Sequence, residues 1–265
     1  MTNTMSRQVL RTPEALRPWV TGIGPVSVGA EPAEPYVHLP DATTKLIFRL
    51  GEDGRRSTLV VGPRTRASYH RGKRFVSCLE MRLAPGGTRP LLGVPAVELA
   101  GRAVPLGDLP GGTAGRLAAE LGRLGPEETV AHLADVLPER LASAADRSRT
   151  ELVRAGVDAM SVRTGRLPRP VGDVARELAV SERQLRNLFA EGVGLSPKHY
   201  ARIDRVRTVL SHAVTYPWAE LAVATGYYDQ SHMTSDFRTL MGVPPRSFFT
   251  GRLPAPQPCR AVARR

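Results

Sequence analysis

The chain is 265 residues long and 42% hydrophobic, enough for ordinary globular cores and for two domains. Its two cysteines, Cys78 and Cys259, exclude a disulfide framework or a zinc finger. No apolar run suits a signal peptide or a membrane span, since Val9-Leu10 is followed at once by Arg11 and Pro13, so a cytoplasmic protein with no membrane partner is expected. The formal net charge of +12 is uneven: residues 1–146 carry 18 Lys/Arg against 15 Asp/Glu, whereas from Arg147 onward 19 stand against 10. That excess suits a partner made of phosphates; use of Arg for solubility is the plain alternative.

In chain order, residues 1–20 start loosely and suggest a short helical turn near Pro13–Trp19. From about Gly22 to Leu83 the signals are for strands. Thr44–Leu50 and Ser57–Val61 flank a Gly51-Glu52-Asp53-Gly54 turn, a hairpin signature. Phe75–Leu83 alternates with period two, and frequent Gly and Pro predict a small antiparallel barrel or sandwich. Beyond Pro85-Gly86-Gly87 the pattern turns helical over Gly115–Leu124 and Glu127–Ala144, with Leu133, Val136, Leu137 and Leu141 three and four apart. Ala142–Arg149, small and charged, is read as the connector. A helix around Thr150–Arg163 opens the second domain and breaks at Gly165 and Pro168–Pro170.

The next hundred residues hold two divergent copies of one motif. In the first, Ala175 is followed four positions on by Ala179, then by Leu185, Phe189, Gly194-Leu195-Ser196-Pro197 and Tyr200. In the second, Ala222 is followed by Gly226, then by Met233, Phe237, Gly242-Val243-Pro244-Pro245 and Phe248, with one extra residue in the turn. Each copy reads as helix, tight turn, second helix, the helix-turn-helix unit whose second helix enters a DNA major groove. Two copies are too few for a solenoid.

In the first copy Ala179 is expected to be small because the second helix crosses tightly there. Ser181 caps that helix, Leu185, Leu188 and Phe189 form its buried face, and Glu182, Arg183, Arg186 and Asn187 point outward. Arg can bind guanine, and Asn adenine, through paired hydrogen bonds; a merely solvated polar face is the alternative. In the second copy Trp218, Leu221 and Ala222 face inward, Tyr227 packs where Val180 does, and Asp229 caps a helix whose Met233 and Phe237 are buried. Gln230, Ser231, Thr234, Ser235 and Arg238 remain outside, and His232 either touches DNA or packs. Between the copies Ser196-Pro197 starts one long helix. Its Tyr200, Ile203, Val206 and Leu210 pack against both units, while Lys198, Arg202, Arg205 and Arg207 form either a basic edge near the phosphates or a solvated face. Heads entering successive major grooves from one side must sit about 34 Å apart.

These residues resemble the DNA-binding domain of the AraC/XylS family of bacterial transcription regulators over roughly residues 150–250. The most specific match is Leu221-Ala222, Thr225-Gly226-Tyr227, Gln230-Ser231-His232-Met233, Phe237-Arg238 and Gly242-Val243-Pro244-Pro245. By resemblance the base-facing positions fall on Arg183, Arg186 and Asn187 in the first head and on Gln230, Ser231 and Ser235 in the second. Family members often carry Arg where this chain has Ser235. Leu39-Pro40-Asp41, Leu46–Arg49, Val61-Gly62-Pro63, Leu83–Gly87 and Leu91–Pro95 resemble the β-rich sensory domain of some such regulators. That resemblance implies a small-molecule effector or a homodimer, and RNA polymerase as partner for an activator.

Other chemistry lacks its motifs. His38 and His70 are not in a His-x-His arrangement, so no metal and no cofactor are expected. Gly86-Gly87 and Gly111-Gly112 lack the context of a phosphate loop, and neither a Gly-x-Ser-x-Gly elbow nor a His-Glu-x-x-His motif occurs. The expectation is an α+β chain of two domains. Residues 1–145 form an effector-binding or dimerisation barrel or sandwich with trailing helices. Residues 146–252 form an all-α pair of helix-turn-helix units joined by a long helix, and residues 253–265 a disordered, basic, Pro-rich tail. The function expected is a sequence-specific regulator binding double-stranded DNA, not an enzyme; the alternative is an N-terminal enzyme that the C-terminal domain delivers to DNA.

Overall fold

The computed structural model describes residues 11–26, 35–71, 77–140, 144–162 and 167–257. A short 3-10 turn, Glu14–Leu16, leads into strands β1 (Val20–Pro25), β2 (Pro35–His38), β3 (Lys45–Leu50), β4 (Arg56–Val61), β5 (Ser68–Arg71), β6 (Ser77–Leu83) and β7 (Ala103–Pro105). The predicted hairpin forms: Lys45 lies opposite Val61 and Leu50 opposite Arg56, around a turn in which Gly54 takes φ +73°. Phe75 and Val76, the start of the predicted third strand, lie outside the described residues.

Among the described residues five strands make one antiparallel sheet in the order β1-β6-β3-β4-β7, while β2 and β5 form a separate antiparallel pair. The chain is α+β as expected, but among the described residues no barrel closes. β7 is three residues long and ends at Pro105, which has no N–H to offer a further strand. Helix α1 (Thr88–Leu92) lies between β6 and β7, and α2 (Gly112–Leu121) and α3 (Pro126–Arg140) follow β7, so helices rather than a second sheet cover the apolar face. Period-two alternation decides which face that is. Leu46, Phe48, Leu79 and Met81 point into a core shared with Leu117, Leu133 and Leu137. Lys45, Glu80 and Arg82, at the intervening positions, form a charged cluster on the opposite face with Asp41.

The connector begins a helix instead. α4 runs Ala144–Met160, because Ala144–Arg149 contains neither Gly nor Pro and its alanines and arginines favour helix. Residues 141–143 lie outside the described residues, as do Arg163 and Gly165, where the sequence predicted that helix to end. Then come α5 (Val171–Glu177), α6 (Glu182–Gly192), α7 (Pro197–His212), α8 (Trp218–Ala224), α9 (Gln230–Met241) and α10 (Pro245–Phe249). Their core contains Val174, Leu185, Phe189, Ile203, Val206, Leu221, Met233 and Phe237.

The duplication persists in the backbone. Val180 N–H donates to Ala175 O at 3.0 Å and Tyr227 N–H to Ala222 O at 2.9 Å, the same six-residue closure after α5 and after α8. The residues before those donors, Ala179 and Gly226, both adopt left-handed backbone, with φ +53° and +79°. Gly194 and Gly242, with φ +82° and +78°, repeat the correspondence after α6 and α9. One expectation is corrected here: Ala179 is exposed rather than packed tightly beneath the second helix. It is small because of its backbone conformation, which the second copy solves with glycine. Ala179→Gly is therefore expected to raise stability by about 0.5–1 kcal/mol, the relief of left-handed strain exceeding the lost chain stiffness; urea titration checks this.

The β-rich and helical parts meet through backbone. The last carbonyls of a helix have no partner within it, and here the β-rich part supplies donors. Gly86 N–H reaches Gly192 O at 2.9 Å and Ala67 N–H reaches Leu240 O at 2.7 Å. The Tyr69 hydroxyl donates to Met241 O. Gly194 leaves no room for a side chain, since a Cβ would stand 2.6 Å from Ala96 O. Arg89 and Arg149 converge on Glu191, and Arg207 donates to Pro40 O at 3.0 Å. Residues 253–257 also join this seam: Leu253 packs on the helical core and Gln257 N–H donates to Tyr69 O at 2.8 Å. The remainder of the predicted tail, with Cys259, lies outside the described residues.

Candidate nucleic-acid interface

In α6 apolar positions three and four apart bury Leu185, Leu188 and Phe189 and turn the rest outward. The Ser181 hydroxyl caps the helix by accepting from Gln184 N–H at 3.1 Å. Ser181, Glu182, Arg183, Arg186 and Asn187 are all exposed, as expected. Arg186 is paired with Glu182 one turn earlier on the same outer face. Such exposed pairs contribute well under about 1 kcal/mol, so the guanidinium can exchange its partner. Arg183 makes no ion pair among the described residues.

The second unit repeats the arrangement with less charge. Asp229 caps α9, accepting from His232 N–H at 2.7 Å, and Met233, Phe237, Leu240 and Met241 are buried. Gln230, Ser231, His232, Ser235 and Arg238 are exposed, while Thr234 is half-buried. The His232 ring stands edge-on to Tyr227, centroids 5.2 Å apart, so it packs in this structure. The extra residue of this turn is Tyr228, whose side chain is 90% exposed between the two helices of the unit. Its only trace in the sequence is the one-residue difference between the copies.

Helix α7 departs from expectation. Lys198 is exposed, but Arg202, Arg205 and Arg207 are not a free basic edge. Arg202 places Nη2 2.7 Å and Nε 3.1 Å from Asp236 Oδ1. Arg205 lies over the Tyr227 ring, 4.7 Å from its centroid, with Nη2 3.8 Å from Asp236 Oδ2. Arg207 turns toward the β-rich part, 3.8 Å from Asp41 Oδ2. The cause is Asp236, a buried carboxylate on α9 facing α7, which must be matched by opposite charge. The helical pattern placed it inward among apolar residues, and its partners lie a full helix away in sequence. Burial, with the Asp236 charge beside it, pushes the Tyr227 phenol above its usual range, so it stays protonated.

The charged face of the sheet is as tightly matched. Lys45 Nζ lies 2.7 Å from Asp41 Oδ2, and Arg82 Nη2 lies 3.0 Å from the same oxygen. Burial alone would raise the Asp41 carboxyl, but Lys45, Arg82 and Arg207 together hold it well below the carboxylate range. The rings of His38 and His70 are 5.4 Å apart, with Tyr36 against both. Burial, then the charge of Arg64, lowers His38 to about 3. Among the described residues no group of three or more His, Cys, Asp or Glu is placed to hold a metal ion. No helix among them is long and apolar enough to cross a membrane.

Comparison with known proteins matches two separate stretches of the chain. Residues 174–251 match the family described as a helix-turn-helix domain, and residues 8–105 match a family described as a domain of unknown function. No curated protein matches the chain. Among solved structures, it is similar to an AraC-type transcriptional regulator from Chromobacterium violaceum at 26% identity, covering 42% of this chain and 96% of that one, TM-score 0.33. A probable AraC family regulator from Rhodopseudomonas palustris is 19% identical over 39% of this chain and 99% of that one, TM-score 0.33. ToxT from Vibrio cholerae is similar over 82% of this chain and 93% of its own, at 12% identity and TM-score 0.40.

Proposed function

From the premise that the C-terminal domain is an AraC-type helix-turn-helix domain, we propose that this protein is a transcription regulator that reads double-stranded DNA through α6 and α9. One observation carries the proposal: both helices bury their apolar face in a common core with α7 and turn polar, hydrogen-bonding side chains to solvent. Arg183, Arg186 and Asn187 on α6, and Gln230, Ser231 and Ser235 on α9, are the proposed base-reading residues. Ser181, Glu182, Lys198, His232, Thr234 and Arg238 border them and face the backbone. Arg202 and Arg205 belong to the site as supports that orient α9. The domain limits proposed are 1–145 and 146–252. The β-rich domain modulates binding through its seam with the two helices, and effector binding, dimerisation and contact with RNA polymerase are roles within this proposal. The protein works in the cytoplasm and is not an enzyme.

Selection of genomic fragments bound by the purified full chain tests the proposal. A motif of one or two half-sites should emerge. On such a site Arg186→Ala is expected to cost about 1–3 kcal/mol against the preferred base at one position and to relax discrimination there. Lys198→Ala should weaken every sequence alike and lower the salt slope of binding by about one. Equal, sequence-independent losses from both substitutions would count against base reading by α6.

A further inference from the structure

Beside the outer face of α9 lies an open cleft of about 450 Å³ whose walls come from both parts of the chain. One wall is Ser235, Arg238, Thr239, Leu240 and Gly242 of α9 and its cap; the other is Arg66 and Ala67, from the segment between β4 and β5. No carboxylate lines it. Arg66 and Arg238 are both exposed, and neither makes an ion pair among the described residues. Arg66 is not there by accident of a loose loop. The next residue, Ala67, donates its N–H to Leu240 O at 2.7 Å, and Tyr69 two residues on donates to Met241 O. Those two bonds also satisfy the carbonyls at the end of α9, whose partial negative charge would otherwise disfavour an anion.

We infer that Arg66, though carried by the β-rich domain, is a DNA-contacting residue: with Arg238 it takes a backbone phosphate of the duplex segment read by α9. The inference rests on the DNA-reading assignment above. Guanidinium groups that line one polar cleft and make no ion pair among the described residues match the fork geometry of phosphate oxygens. The position agrees with the way such helices dock, since their first turns meet base edges and phosphates flank them. Ser235 joins the two regions, being both a proposed base-facing residue and a wall of the cleft. The contact also offsets the sparse charge of the second head, which has one arginine on its outer face where the first has two. Residue 66 lies more than a hundred positions from the repeat, so nothing in the motif pointed to it.

The test uses the full chain, a fluorescent duplex from the selected motif, and binding measured across a salt series. Arg66→Ala is expected to weaken binding about tenfold for every base sequence and to lower the salt slope by about one. Arg66→Lys should keep the slope. Ethylation of the single phosphate beside the α9 segment should hinder the native protein more than Arg66→Ala, which keeps only Arg238 to face it. Arg66 is exposed, so the alanine variant should melt at the native temperature. If it binds with unchanged affinity and slope while Lys198→Ala is weakened, the contact does not exist although DNA reading stands. The contact is likewise overturned if inorganic phosphate, at matched ionic strength, competes with the native protein and with Arg66→Ala alike. Failure of the native protein to bind any selected duplex overturns the DNA-reading assignment and this contact together.

Discussion

Asp236→Ala is expected to destabilise the protein by about 3 kcal/mol, because it strips the shared carboxylate from two arginines. Arg202 and Arg205 are held on opposite oxygens of that group, and Arg205 is nearly sealed beneath Tyr227. Without it, Arg205 keeps its charge in a site that no longer compensates it, and α9 loses its polar tie to α7. Calorimetric or urea unfolding measures the loss. Adding Arg202→Met and Arg205→Met to the alanine variant should recover part of it, since an apolar set needs no counter-charge. A single variant as stable as the native protein would mean that the carboxylate does not hold these helices. Because α9 is the proposed second reading helix, specificity should fall together with stability, unlike the result for Arg186→Ala.

Acid should weaken the β-rich domain well before carboxylates titrate. The His38 imidazole is lowered to about 3 in the folded chain, against about 6.5 when unfolded. The unfolded chain therefore binds more protons between those values. The stabilisation is fully present above pH 6.5 and is lost as pH falls toward 3, at up to about 1.4 kcal/mol per pH unit. Going from pH 6.5 to 5 should cost about 2 kcal/mol. The groups facing the ring sharpen this effect, since His70, Arg64 and Lys45 all disfavour a proton on it. Asp41 acts in the same direction but later: its depressed carboxyl gives stability that is present above its unfolded value near 4 and is lost only as pH falls through its folded one. Urea midpoints at pH 7.5 and 5 check the sign. His38→Phe should flatten the difference, and a native midpoint unchanged over that interval would show that the imidazole is not sequestered.

Much of the helical domain was legible because its information is local and repeated. Capping by Ser181, Ser196 and Asp229, the glycines at 194 and 242, and the apolar spacing in α6 and α9 each need only a few neighbouring residues. The hairpin at Gly51–Gly54 was legible for the same reason. What sequence could not supply depends on distant pairs. Whether strands close a barrel is decided by which edges meet, and β2 chose β5 over the larger sheet. On α7 one buried aspartate, 34 and 31 positions away in sequence, draws Arg202 and Arg205 inward, and Asp41 draws Arg207, pairings that no local pattern carries. Likewise Arg66 becomes relevant only once Ala67 is seen to end α9.

The donors that finish α6 and α9 come from one neighbour, the β-rich part. If that neighbour moved as one body far enough to withdraw Gly86 N–H from Gly192 O, it would strain Ala67 N–H on Leu240 O as well. Each buried carbonyl left bare would cost about 1–3 kcal/mol, so a compromise in which one head swivels while the other stays put is unfavourable. In the proposed reading the two heads are thereby geared together: were a signal to arrive in the β-rich part, both readers would turn with it or neither would.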